Sequence, residues 1–100
     1  MAHQTTTSTN ERAALAADEA ALAAEKVAFA TERVAFATEQ AALATENAAL
    51  ALTAENKDFW ADKAAFWTKD AADWAEIKAK AQDRKSRMLA AKEYYGNRSA

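Results

Sequence analysis

The sequence predicts an all-α protein built on a heptad, and three observations carry that expectation. From Ala13 to Ala51 the chain reads AALAADE, AALAAEK, VAFATER, VAFATEQ, AALATEN and then AALA, five complete copies of one phrase and a truncated sixth. Proline is absent and the single glycine is Gly96, so no strong breaker interrupts the chain before its C-terminal end. Alanine, the best helix former, supplies 31 of the apolar residues.

Residues 1–9 form a polar tail whose hydroxyls, Thr5 to Thr9, cannot bury a core. Ser8 followed by Glu11 fits a capping box, with Thr9 and Asn10 as competing caps, which starts the helix near 9–11.

Residues 10–51 hold the heptads. At about 100° per residue, the first, fourth and fifth positions fall together and are nearly all alanine, with Val27, Val34 and a few threonines among them. The third position carries Leu15, Leu22, Phe29, Phe36, Leu43 and Leu50 on another side, fenced by Asp18, Glu25, Glu32, Glu39 and Glu46. A surface helix has one apolar stripe; this one has two apolar faces and needs a neighbour on each. Alanines such as Ala30 and Ala37 bury little area but allow backbones to approach closely. The Leu/Phe ridge can supply about 1.5–3 kcal/mol per fully buried side chain.

Residues 52–95 begin with a break in the repeat. After AALA at 48–51, Leu52 and Thr53 intervene before Ala54, Glu55 and Asn56 complete the phrase. Two extra residues rotate everything downstream by about 200°. In this half the fourth position becomes Trp60, Trp67 and Trp74, with Phe59 and Phe66 beside them. Two architectures fit. The expected one is a near-continuous helix over about 10–95 in a multi-chain coiled-coil assembly; the alternative is a helical hairpin turning near 53–58, where Asn56, Lys57 and Asp58 are the most turn-like residues. Gly96 is expected to end the helix as a left-handed cap, leaving residues 96–100 as a tail.

Charge is divided along the chain. Residues 1–77 hold 6 basic against 13 acidic residues, −7, and residues 78–100 hold 7 against 2, +5. Such polarity favours antiparallel or staggered contact between copies. The basic residues Lys78, Lys80, Arg84, Lys85 and Arg87 are spread around the helix without interleaved aromatics, so nucleic acid is not an expected partner. A membrane is not expected either, because the longest uncharged run in the helical region is far short of a span. No Sec-type signal peptide is visible, which leaves a cytoplasmic protein, export by another route, or a place in a particle.

Catalytic chemistry has little to work with. There is no cysteine, and the one histidine, His3, stands in the tail. Carboxylates recur at seven-residue spacing, about 10 Å apart on one row, too far to share a metal or to act as an acid–base pair. No enzyme activity, metal, cofactor or small-molecule substrate is expected. The sequence points to a structural protein that associates with itself, the subunit of a filament, tube or coat, through Leu15, Leu22, Phe29, Phe36, Leu43, Leu50, Phe59, Trp60, Phe66, Trp67, Trp74, Ala30 and Ala37. The alternative is a small helical-bundle adaptor or exported binding protein forming a discrete oligomer.

Overall fold

Thr53 decides the topology. Its hydroxyl accepts a hydrogen bond from the Asn56 backbone N–H at 3.1 Å, and its carbonyl accepts the first helical bond from Lys57 N–H at 3.0 Å. That is N-cap geometry, satisfying a donor that a helix start would otherwise leave open. Just before it, Ala51 N–H bonds back to the Ala48 carbonyl at 3.3 Å, a tightened last turn. One helix therefore ends and another begins within three residues.

The computed structural model describes the backbone of residues 2–99 and the side chains of residues 8–98. It contains α1 (Ala2–Leu50) and α2 (Ala54–Ser99), and no strand among the described residues. The near-continuous helix over 10–95 does not form; the chain is a helical hairpin. Its turn is Ala51 to Thr53, so Asn56, Lys57 and Asp58, the expected turn residues, lie instead in the first turns of α2. The reason is the heptad insertion. In an unbroken rod those two residues would swing the apolar seam of the second half about 200° away from that of the first, and no single partner could cover both.

Both ends of the chain also differ from expectation. Helix α1 begins at Ala2, so the start near 9–11 is not observed and Ser8 lies within the helix rather than capping it. Much of the predicted polar tail falls outside the described residues: Met1 entirely, and the side chains of 2–7. At the other end α2 passes through Gly96 to Ser99, and no described residue has positive φ, so Gly96 is not a left-handed cap. Ala100 lies outside the described residues.

The chain divides into two compact units. The turn unit is residues 29–78. Here Ala30, Ala37 and Ala44 of α1 are buried, the first two with 0% exposure, and Trp60, Trp67 and Trp74 of α2 are half-buried. Phe29 meets Trp74 edge-on with ring centroids 5.4 Å apart, and Phe36 meets Trp67 at 5.5 Å. Seven residues up α1 thus match seven down α2, and the paired heptads hold one register. Edge-to-face pairs of this kind contribute about 0.5–1.5 kcal/mol beyond their buried area.

The terminal unit combines residues 1–28 with 79–100. Its buried residues are Ala16, Ala20 and Ala23 of α1 and Ala81 of α2. Ala81 and Met88 occupy the heptad place that tryptophan holds in the turn unit. The helices are joined at the surface by Arg84 to Glu19 at 3.1 Å, and the Arg12 guanidinium sits 5.7 Å from the Tyr95 ring centre. A half-exposed ion pair of this kind is worth about 0.2–1 kcal/mol.

Candidate self-association surface

Heptad geometry separates two sets of residues that both look like contacts in the sequence. Ala30 and Ala37 are sealed inside the hairpin, so the close approach they permit is between α1 and α2 of the same chain. Their expected role between chains is corrected accordingly. The tryptophans are likewise partly used within the chain: all three are half-buried, and Trp67 and Trp74 pack on Phe36 and Phe29 of α1. The fifth position leaves the seam as well: Thr31, Thr38 and Thr45 are exposed, and Thr45 turns its hydroxyl back to the Ala41 carbonyl at 2.9 Å.

The Leu/Phe ridge is left at the surface. Leu15, Leu22, Phe29, Phe36, Leu43 and Leu50 are 44–71% exposed, and Phe59 and Phe66 on α2 are also open. Their own chain covers one flank of Phe29 and Phe36 through the Trp edges and leaves the rest. Leu52, at the turn, is 97% exposed and Leu89 of α2 is 44% exposed. Neither was among the contact residues expected from the sequence. An apolar residue placed beside a polar cap at the heptad break was the available signal for Leu52.

Arg33 belongs to the same surface. Its guanidinium lies 5.5 Å from the Trp74 ring centre and 5.7 Å from that of Phe36, a cation flanked by two π faces. The Nε of Arg33 and the Oδ2 of Asp70 are buried without a hydrogen-bond partner. The flat, weakly hydrated guanidinium tolerates such a place because stacking replaces part of its hydration.

In the terminal unit the ridge borders open grooves rather than tryptophans. A groove of about 330 Å³ is lined by Leu15, Ala16, Met88 and Ala91 with Arg12, Glu19 and Tyr95. A second, of about 260 Å³, is lined by Leu22, Ala23, Lys26, Glu19 and Arg84. Both exist because Ala81 and Met88 do not reach as far as Trp67 and Trp74. Charge also divides by unit. The turn unit has five basic against nine acidic residues, −4, and the terminal unit eight against six, +2.

Among the described residues no group of three or more His, Asp or Glu side chains could hold a metal ion, and no helix is long and apolar enough to cross a membrane. No protein-family model, no curated protein and no solved structure matches the chain.

Proposed function

We propose that this chain is a structural protein that works by associating with copies of itself, as the subunit of a filament, tube or coat. The observation that carries this reading is the exposed ridge of six Leu and Phe residues at one heptad position of α1. The alanine seam is consumed in folding, and the ridge is not. At roughly 100 Å² per residue, half-exposed side chains of this size offer on the order of 600 Å², near the ~800 Å² per partner of a standard interface. A row of exposed large apolar side chains of this extent marks a contact surface.

A second reading, a discrete closed oligomer, is favoured by one feature of the same ridge. Read from Leu15 to Leu50 it runs Leu, Leu, Phe, Phe, Leu, Leu, the same in both directions, so two copies could meet about a two-fold axis and close. That contact would set the acidic row of one copy beside that of the other. It should therefore strengthen with added salt, which screens like charges.

Negative-stain electron microscopy with light scattering tests both. Extended assemblies are expected for the unaltered chain, and Leu43→Glu, which places a charge in the ridge, should reduce them at least tenfold in extent. Compact dimers whose stability rises with salt would establish the closed form. A chain that stays monomeric at every concentration and salt would overturn self-association altogether.

A further inference from the structure

Leu52 and Leu50 are the two most exposed large apolar residues among those described, at 97% and 71%. The turn does not require a leucine between Ala51 and Thr53. Thr53 supplies the cap, Ala51 closes the last turn of α1, and the backbone keeps negative φ throughout. Polar residues suit such a position better. The apolar character of position 52 is therefore unexplained within its own chain.

The terminal unit has the complementary feature. Its larger groove, about 330 Å³, has apolar lining from Leu15, Ala16, Met88 and Ala91, with Arg12, Tyr95 and Glu19, the last paired with Arg84, beside them. The groove has room for a leucine side chain and is open in the chain by itself. The electrostatics agree: Glu46, Glu55 and Asp58 outnumber Lys57 close to the turn in sequence, within a unit of charge −4, whereas the groove belongs to a unit of charge +2.

We propose that Leu52, with Leu50 beside it, is a knob that docks into the terminal-unit groove of a second copy. The inference rests on the self-association reading and adds to it a second contact, distinct from the ridge. Knob and groove are different surfaces, so the contact is heterologous: each docked copy presents a new knob and a new groove. Repetition then yields a ring where the rotation closes and a filament where it does not. The opposite net charge of the two units steers the encounter, an attraction that weakens with salt.

The chain has no cysteine, which makes cross-linking unambiguous. A chain carrying both Leu52→Cys and Ala91→Cys should give a ladder of disulfide-linked multimers on mild oxidation, and neither single variant should. Leu52→Ala should weaken end contact about tenfold to a hundredfold, from the apolar area it leaves unburied. Its circular dichroism should be unchanged, because the side chain packs against nothing in its own chain. A missing ladder, or assemblies of unchanged extent in Leu52→Asp, would overturn the knob while leaving ridge association standing. Efficient dimers from Leu52→Cys alone would replace it with tip-to-tip contact. If the unaltered chain fails to associate at all, both readings fall.

Discussion

In the turn unit the fourth heptad position of α2 is Trp60, Trp67 and Trp74; in the terminal unit it is Ala81 and Met88, then Tyr95. The alanine seam of α1 is the same in both. What changes is whether the ridge beside that seam has a ring to lean on. Phe29 and Phe36 do, at 5.4 and 5.5 Å, whereas Leu15 and Leu22 border open grooves. One heptad can thus be finished either by its own chain or by something else, and the size of one facing residue decides which.

The sharpest way to test that contrast is to remove the facing residues. Trp67→Ala should cost about 2–4 kcal/mol, somewhat below the range for fully buried aromatics because the indole is half-exposed. Met88→Ala should cost about 1–2 kcal/mol, since the groove beside it already gives up part of its packing. Urea unfolding of the two variants compares them, and equal losses would erase the distinction between the units.

Filling should show the opposite asymmetry. Ala37 has no exposed surface, so Ala37→Leu should overpack the seam and destabilise by about 1–3 kcal/mol. Ala91 lines the larger groove, and Ala91→Leu should leave stability within about 0.5 kcal/mol of the original chain. Thermal melts followed by circular dichroism would read both, and a large loss at position 91 would mean that the groove is not open to filling.

The smallest effect concerns two threonines in nearly the same words. Thr53→Ala should cost about 1 kcal/mol by removing the cap. Thr45→Ala should be neutral or slightly stabilising, because Thr45 only bonds back to a helical carbonyl and alanine has the higher helix propensity. Chemical denaturation of the pair checks the sign of the difference.

The helical class, the buried fourth-position alanines and the separate Leu/Phe ridge were legible in the sequence, because all three follow from heptad period and side-chain size. The partner of the alanine face was not. Alanine at every seventh residue reads the same whether α2 or another chain lies against it, so Ala30 and Ala37 were expected between chains and are found within one. The turn was obscured by its residues. Ala51, Leu52 and Thr53 contain neither glycine nor proline, and the Thr-Glu-Asn inside α1 at 45–47 resembles the Thr-Ala-Glu-Asn that starts a helix at 53–56. Interruption of the repeat was the stronger signal. Gly96 misled in the reverse direction: a Cβ there would meet nothing within 4 Å, and the helix simply continues through it.

Leu52 and Thr53 also act as punctuation in a repetitive text. Without them, AALA at 48–51 would run straight into Ala54, Glu55 and Asn56 and complete a sixth ordinary phrase, with KDFWADK following in phase. The tryptophans would then continue the column of buried alanines on a single uninterrupted stripe. A chain lacking that pair of residues carries every other instruction for an unbroken rod, whose seam could be closed only by a neighbouring molecule. Two letters therefore separate a protein that answers its own seam from one that must borrow the answer.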